Sequence, residues 1–386
     1  MGDSFKALLH RYNKGLCSPE EQAVVEAWYE QMEAPGLQAL TDEQLNEIST
    51  PKAIIPDRGS KLNTASERSR VYGWLSAAAA VLLVGSVLLY FNRSAEQHDN
   101  AAAVANVLAD VAPGANKAIL TLSDGRKITL DQAAQGTLAQ QGNVRIRKTD
   151  TGELVYALAD KAAADAGSST FNMISTPRAG QYHIVLSDGT QVWLNSASSL
   201  KYPIAFSGQS RQVEVSGEAY FEVAHNPVKP FRVVTASQTL EVLGTHFNLN
   251  VYPDEPASTT TLLEGSVRVW GRQGEGAALL KPGQQSALTN GQRIRVSAAD
   301  TEAAIDWKEG DFIFENQSLS SIMRKVSRWY DVDITYDSDV NAALTFSGVV
   351  SRTRNLSAVL KMLERTGTVR FLVKGKQVTV INNTSK

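Results

Sequence analysis

The sequence predicts a multi-domain membrane protein with a small α-helical module, one transmembrane helix, an all-β domain and a C-terminal α+β domain. Three features predict this architecture. The run Gly73–Phe91 is apolar and uncharged, short alternating strands begin near Lys117, and residues 306–386 contain the same helix–strand pattern twice. The length of 386 residues also favours several domains, because single hydrophobic cores rarely grow to that size.

Residues 1–70 are expected to form the helical module. Ser18 is an N-cap, Pro19 takes the first helical position and Glu21 closes a capping box. A third helix is expected from Thr41. Apolar residues recur at helical spacing, namely Phe5, Leu8, Leu9, Tyr12, Val24, Val25, Trp28 and Met32. So small an apolar set gives a marginal core. We therefore expect either a weakly stable three-helix tail or, preferably, a docking module with one face reserved for a partner.

Residues 72–91 are predicted to span a membrane. An uncharged helix of this length is roughly 28 Å long, close to the thickness of a bilayer's hydrocarbon core. Lysines and arginines cluster before the span, whereas Arg93 is followed by Glu96 and Asp99. The positive-inside rule therefore predicts a cytoplasmic N-terminus and an external C-terminal part.

Residues 92–116 are expected to be a linker of small residues, and residues 117–300 an all-β domain. Ser-Asp-Gly occurs twice between apolar strands, in 121–131 and 185–195, and each copy predicts a β-hairpin with glycine supplying the positive φ. A third hairpin is expected over 147–156. The uneven turn spacing favours a solenoid-like roll over a sandwich, and both remain open.

Two strand patterns inside this domain predict finer detail. In "RQVEVSGEAYFEV", Glu214, Glu218 and Glu222 have the opposite parity to the apolar residues, so we expect them on a solvated outer face. In "TLEVLGTHFNLNVY" the apolar parity switches across Gly244, which predicts a β-bulge.

Residues 306–386 are expected to form the α+β domain. Apolar residues at helical spacing begin at Leu319 and lead into an alternating strand, and the same pattern begins again at Leu356. With a short strand ahead of each copy, the pattern predicts two βαβ halves that share a small sheet.

No catalytic constellation is recognisable. Ser198–Lys201 fits S-x-x-K, but the companion motifs of penicillin-binding enzymes are absent from the sequence. The five histidines lack short ligand spacing, Cys17 is the only cysteine, and the net charge of −2 gives no basic surface for nucleic acid. We therefore expect no enzyme activity, no cofactor, no metal and no direct nucleic-acid binding.

Motifs along most of the chain resemble a known family. They include "STPRAGQYHIVLSDGTQVWLNSASSLKYPIAFSG", "VEVSGEAYFEVAHNPVKPFRVVT", "EVLGTHFNLNVYPDE" and "LSSIMRKVSRWYDVDITY". They are similar to FecR-type transmembrane anti-sigma factors and sigma regulators, in the form common among Bacteroidetes. The C-terminal unit also resembles the short N-terminal domain of secretins and TonB-dependent transporters.

The resemblance implies a relay across the inner membrane. An outer-membrane TonB-dependent transporter would meet the periplasmic C-terminal part, and an extracytoplasmic-function (ECF) sigma factor would meet the cytoplasmic helices. We expect the sigma factor to dock on Leu8, Leu9, Val25, Trp28 and Tyr29. The transporter's signalling domain would dock on the sheet edge of residues 306–386, with Trp329 and Tyr330 as candidates unless they are core aromatics. A rival hypothesis is a membrane-anchored module that binds glycans or peptidoglycan.

Overall fold

The computed structural model describes residues 8, 11–12, 17–33, 110–158, 170–272, 276–289 and 293–383. The predicted transmembrane helix and the predicted third helix from Thr41 lie outside these residues. Within them, no helix is both long enough and apolar enough to cross a bilayer. The described chain is mostly β-sheet with few helices, which confirms that part of the predicted fold class.

The helix α1 (Pro19–Glu33) begins where the sequence predicts. Its capping box is present: the Glu21 amide donates to Ser18 Oγ at 3.2 Å, and the Ser18 amide donates to Glu21 Oε2 at 3.0 Å. These two bonds satisfy backbone donors that a helix start otherwise leaves unpaired.

Residues 115–298 form the β-sheet region. Its strands are, in chain order, β1 (Ala115–Asn116), β2 (Ile119–Thr121), β3 (Lys127–Thr129), β4 (Gly136–Gln141), β5 (Val144–Lys148), β6 (Leu154–Leu158), β7 (Phe171–Ser175), β8 (Gly180–Val185), β9 (Gln191–Leu194), β10 (Ser199–Pro203), β11 (Arg211–Glu222), β12 (Phe231–Val234), β13 (Gln238–Val242), β14 (His246–Val251), β15 (Ser258–Glu264), β16 (Val267–Gly271), β17 (Ala277–Leu280), β18 (Gln284–Leu288) and β19 (Arg295–Ala298).

The strands form two sheets that share β11. Sheet I has the order β3-β2-β7-β10-β11-β12-β13-β16-β17. Sheet II has the order β4-β5-β6-β8-β9-β11-β14-β15-β18-β19. The chain therefore alternates between the sheets while it advances along both. Apolar residues of both sheets form one buried cluster, so the region combines the two layers of a sandwich with the progressive path of a roll.

Glycines mark places where the chain changes sheet. β11 pairs in sheet I up to Ser216 and in sheet II from Gly217, which has a φ of 88°. A Cβ on Gly217 would lie 2.4 Å from Ser198 Oγ. Gly244 lies between β13 of sheet I and β14 of sheet II, and a Cβ there would lie 2.6 Å from His225 Nδ1. The prediction of a β-bulge across Gly244 was therefore wrong, because the parity switch reflects a change of sheet; a register shift occurs at His246/Phe247 instead.

The twin Ser-Asp-Gly segments form the predicted hairpins. The Leu122 amide donates to the Arg126 carbonyl at 2.9 Å, and the Leu186 amide donates to the Thr190 carbonyl at 2.9 Å. Gly125 and Gly189 have φ values of 84° and 87°. The third predicted hairpin, β5–β6, closes in the same way through Thr149 and Glu153 at 2.9 Å. Sequence alone determined these turns, because each depends on a local left-handed glycine.

The C-terminal region follows the β-sheet region. Its elements are α2 (Thr301–Glu309), β20 (Asp311–Ser318), α3 (Leu319–Tyr330), β21 (Asp333–Tyr336), β22 (Thr345–Ser351), α4 (Leu356–Glu364), β23 (Val369–Lys374) and β24 (Gln377–Asn382). The two helix–strand units are present, and their helices α3 and α4 begin at the predicted residues, Leu319 and Leu356. The shared sheet, however, is not what forms.

The strands of the C-terminal region form two separate sheets. β20 pairs with β22, while β21 and β23 both pair with β24. Each helix therefore joins a strand of one sheet to a strand of the other. At the end of α3, Asp331 adopts a left-handed conformation with a φ of 52°, and β21 starts two residues later in the second sheet. The prediction of one shared sheet was wrong because strand spacing does not encode which strands pair.

Candidate functional site

The outer face of sheet II is polar, and the C-terminal region packs on it. Asn195 on the β9–β10 connection, Glu218 on β11 and Asn248 on β14 point toward α2, α3 and the β22–α4 connection. We call this contact the junction; its central residues are Asn195, Glu218, Asn248, Tyr252, Asp306, Trp307, Lys325, Arg328, Trp329 and Arg352. Most of them are buried although they are polar, which makes the junction the candidate functional site.

Glu218 lies at the centre of the junction and is 8% exposed. Asn195 Nδ2 donates to its Oε2 at 2.8 Å, and Asn248 Nδ2 donates to its Oε1 at 3.0 Å. Trp307 Nε1 in turn donates to Asn248 Oδ1 at 3.2 Å, which fixes the orientation of that amide. Burial raises the pKa of Glu218, and the two amide donors oppose this effect without overcoming it.

The expectation that all three glutamates of β11 lie on a solvated face was therefore wrong for Glu218. Glu214 is exposed and pairs with Lys201 Nζ at 3.2 Å, as expected for an outer strand face. Glu218 has the same parity but lies after Gly217, where β11 joins sheet II and the C-terminal region covers it. Strand parity predicts which face a residue occupies, and it cannot predict that a second region covers that face.

Arg352 connects the C-terminal region to sheet II. Its Nη1 donates to the Trp307 carbonyl at 2.7 Å and its Nη2 donates to Asn195 Oδ1 at 3.1 Å. The guanidinium also lies 3.8 Å from the centre of the Trp329 ring. Arg352 is 2% exposed, and this burial lowers its pKa to about 10. The cation therefore depends on ring and carbonyl contacts rather than on solvent.

A group of ion pairs surrounds the buried centre. Glu255 accepts from Arg324 Nη2 at 2.7 Å and from Arg328 Nη2 at 2.9 Å. The Arg328 guanidinium lies 3.8 Å from the centre of the Tyr252 ring. Because Glu255 and Tyr252 belong to the β-sheet region while both arginines belong to α3, these contacts hold α3 in a fixed position.

Arg178 makes a similar connection from the β7–β8 turn. Its Nη1 donates to Asp333 Oδ1 at 2.9 Å, its Nη2 donates to Ser327 Oγ at 2.8 Å, and it also contacts the Val332 carbonyl. The neighbouring Ala179 amide donates to the Arg328 carbonyl at 2.8 Å. This turn therefore binds the C-terminal end of α3 through both backbone and side-chain groups.

A short segment, Val111–Asn116, runs between the two regions; we call it the strap. The Leu356 amide donates to the Val111 carbonyl at 3.0 Å, which supplies the first turn of α4 with an acceptor where Asn355 gives none from its side chain. A Cβ on Gly114 would lie 2.7 Å from the Trp329 ring. Further on, β1 pairs in parallel with β8. The strap is therefore bound at both ends.

Trp329 and Tyr330, the predicted transporter-docking residues, are 5% and 2% exposed. Trp329 Nε1 donates to the Arg352 carbonyl at 2.9 Å, and Tyr330 Oη donates to the Arg354 carbonyl at 2.7 Å. This burial favours the alternative stated with that prediction, that both are core aromatics. The surface role assigned to them is corrected accordingly, and Trp329 instead packs against the strap.

The predicted sigma-docking residues fall at the N-terminus. Leu8 is 7% exposed and Val25 is fully buried, and both belong to the apolar cluster that α3 and α4 form. Leu9 lies outside the described residues, as do the side chains of Trp28 and Tyr29. The structure therefore brings Leu8 and Val25 together, although against the C-terminal region rather than on an open face.

Sequence reasoning missed Arg178, Arg352 and the strap. Their partners lie far away along the chain, so no spacing pattern could have identified them. Ser198 of the S-x-x-K match belongs to the same network, since its Oγ accepts from the Glu218 amide at 2.9 Å. In the described part of the chain, no three His, Cys, Asp or Glu residues group closely enough to suggest a metal site. The arrangement fits a site that binds and positions protein segments.

Known families match both regions. The FecR protein family matches residues 172–268, and the FecR C-terminal family matches residues 311–380. Similar solved structures include two, at 1.65 and 2.50 Å resolution, of a Parabacteroides distasonis ATCC 8503 protein proposed to be an anti-sigma factor. Each is 26% identical to this chain; they cover 54% and 55% of it and 98% and 99% of their own length, with TM-scores of 0.51 and 0.52.

No curated protein matches the chain. The two family matches nevertheless fall in the two regions that meet at the junction. The chain therefore contains a FecR domain in its β-sheet region and a FecR C-terminal domain after it, and it is similar to solved structures of a protein proposed to be an anti-sigma factor.

Proposed function

We propose that this protein is a single-pass inner-membrane regulator that relays a signal from an outer-membrane TonB-dependent transporter to an ECF sigma factor. Residues 1–70 bind the sigma factor in the cytoplasm, residues 72–91 cross the membrane, and the C-terminal region meets the transporter's signalling domain in the periplasm. In this proposal the protein acts by binding alone, without catalysis, cofactor or direct contact with nucleic acid.

The position of the strap is the observation that carries the proposal. The strap is the last part of the predicted linker that follows the span, and it is bound to α4 and packs on the Trp329 ring. A partner that shifts the C-terminal region would therefore act directly on the chain segment that leads back to the membrane. The resemblance to a protein proposed to be an anti-sigma factor supports a sigma factor as one partner.

The proposed topology has a consequence for α1. In the structure Val25 of α1 is buried against the apolar cluster of α3 and α4. A membrane span between residues 72 and 91 would place α1 and α4 on opposite sides of the bilayer, so this contact and the topology are mutually exclusive within one chain. In the membrane-inserted protein, both apolar faces would be free for partners in their own compartments.

A topology experiment decides between the two arrangements. Reporter enzymes that are active only in the cytoplasm or only in the periplasm are fused after Lys386 and before Met1 of the full chain. We expect the two ends to report opposite compartments. If both ends reported the same compartment, the contact between α1 and α4 would be possible in the cell. The proposed relay across the membrane would then be excluded.

For the transporter, we propose β23 as the receiving edge. The second sheet of the C-terminal region has the order β21-β24-β23, so β23 is an edge strand, and its Leu372 and Val373 are 52% and 36% exposed. Edge strands with exposed apolar residues are natural sites for strand addition. Leu372→Asp should weaken binding of the transporter's signalling domain at least tenfold, measured by titration calorimetry.

Leu279→Asp is a matched control for this experiment. Leu279 is 61% exposed on β17, which is the edge strand of sheet I, far along the chain from the proposed docking site. We expect this control to leave the affinity unchanged. Equal binding by both variants and the parent protein would exclude β23 as the docking edge.

For the sigma factor, the test is co-purification of the full chain with the ECF sigma factors of the same cell. Val25→Asp places a charge in the apolar face of α1 and should abolish co-purification, whereas Glu20→Gln on the exposed first turn should preserve it. A sigma factor that binds both variants equally would show that this face of α1 is not its docking surface.

A further inference from the structure

A second site lies beside the junction, in a cavity of about 240 Å³. Its walls come from the β5–β6 turn, strands β8 and β9, helix α2 and Asn116 at the end of the strap. Five separate parts of the chain therefore line it. A cavity of this size exceeds what one or two water molecules fill, since water occupies about 30 Å³ each in the liquid.

His183 on β8 is the key polar residue of this cavity. Its Nδ1 lies 2.9 Å from Glu153 Oε1, and its ring stacks on Trp193 with a centroid distance of 4.0 Å and an angle of 7°. Its Nε2 is buried and has no hydrogen-bond partner among the described residues. Leaving a buried polar atom unpaired costs about 1–3 kcal/mol, so this unpaired Nε2, on a residue that lines the cavity, indicates a missing partner.

The chemistry of that partner follows from the charge of the imidazole. Burial is the largest influence on His183 and lowers its pKa below the usual value of 6.5, although Glu153 acts in the opposite direction. The ring is therefore neutral at neutral pH. Because Nδ1 faces a carboxylate it carries the proton, which leaves Nε2 as an acceptor. The missing partner is a hydrogen-bond donor.

The remaining walls select against charged ligands. The Lys308 ammonium lies 4.8 Å from the centre of the Trp193 ring and disfavours a cation, while the Glu153 carboxylate disfavours an anion. Gln181 Nε2 donates to Asn116 Oδ1 at 3.3 Å, so two amide groups meet at one wall. Trp193 and Trp307 also line the cavity. A neutral ligand with several hydroxyl groups, which both donate and accept, fits such walls.

We propose that this cavity binds a neutral sugar unit, with one hydroxyl donating to His183 Nε2 and others bonded to Glu153 and the amides of Asn116 and Gln181. The sugar could be a free monosaccharide or one unit of a glycan chain, and the experiment separates these sources. This site is independent of the proposed relay, because it requires neither a sigma factor nor a transporter.

The test uses the full chain in a zwitterionic detergent without a sugar headgroup. Glucose, N-acetylglucosamine and soluble peptidoglycan fragments are titrated separately, with binding followed by tryptophan fluorescence and by saturation-transfer NMR. We expect saturable binding of at least one probe. Binding of the monosaccharides identifies a free-sugar site, and binding of the fragments alone identifies a glycan site.

His183→Phe keeps an aromatic ring stacked on Trp193 and removes the acceptor, so it should weaken binding about tenfold, equivalent to 1.4 kcal/mol. His246→Phe is the matched control, because His246 also faces a glutamate, with Nδ1 3.3 Å from Glu264 Oε2, outside the cavity. If His183→Phe does not fold, Gln181→Ala gives the same comparison. No saturable binding of any probe, or equal loss in the control, would show a cavity that holds only water.

Discussion

The two faces of sheet II differ in what covers them. The inner face packs against sheet I with apolar side chains such as Phe221 and Phe247, whose rings stack at a centroid distance of 5.0 Å. The outer face carries Asn195, Glu218 and Asn248, yet the C-terminal region covers this central part of it and leaves Glu218 and Asn248 only 8% and 4% exposed. The difference teaches that one sheet can have a core on each side, one held by apolar packing and the other by directed hydrogen bonds and ion pairs.

The largest expected effect lies on the inner face. Phe221 is fully buried, and Phe221→Ala should lower the free energy of unfolding by about 3–5 kcal/mol because it leaves a cavity. Thermal unfolding followed by near-ultraviolet circular dichroism measures this loss. Val296→Ala, at a position 42% exposed on edge strand β19, is the control and should change stability by less than about 0.5 kcal/mol.

The next effect concerns a buried cation of the β-sheet region. Arg211 is 2% exposed, and its Nη1 donates to Asp188 Oδ2 at 2.9 Å. Asp188→Ala should cost about 3 kcal/mol, because it leaves that charge without its acid partner. Asp124→Ala removes the equivalent aspartate of the twin turn, which is exposed, and should cost below about 1 kcal/mol. Equal losses in the two variants would show that Arg211 does not depend on Asp188.

At the junction, Gly114→Ala tests the packing of the strap. The added Cβ would lie 2.7 Å from the Trp329 ring, and overpacking of this kind costs about 1–3 kcal/mol. Hydrogen exchange should show faster exchange at the strap and at the first turn of α4, with the inner core of the sheets unchanged. Uniform acceleration across the sheets would mean that the junction and the inner core unfold as one unit.

The smallest effect depends on pH. Because the pKa of Glu218 is raised in the folded protein, the native state holds its proton more tightly than the unfolded state does. Stability from this group is therefore complete below the ordinary value of 4.5 and is lost as pH rises through the folded pKa. Glu218→Gln should remove that slope from the unfolding free energy.

At neutral pH, Glu218→Gln should lower the free energy of unfolding by about 1 kcal/mol. The NH2 group of the glutamine would face the amide donor of either Asn195 or Asn248, so one of the two hydrogen bonds would be lost. Glu214→Gln on the exposed part of β11 is the control and should leave the pH profile as it is. A parent profile without a slope above pH 4.5 would contradict the proton-binding role of Glu218.

The sequence by itself determined the features that depend on neighbouring residues. The capping box of Ser18 and Glu21, the twin glycine turns, the alternating inner face of the strands and the start of both C-terminal helices were all predictable. Each follows from backbone conformation or from side-chain periodicity within a short segment. The same reasoning identified no partner for Glu218 or Arg352.

Only the tertiary structure decided which strands pair, which face the C-terminal region covers, and where the strap runs. Gly217 and Gly244 were visible in the sequence, yet their roles at changes of sheet depend on contacts with Ser198 and His225. Burial of Glu218 likewise depends on residues from α2, more than 80 positions away along the chain. Local patterns fix local geometry, whereas the choice of distant partners is made by packing, which no short segment encodes.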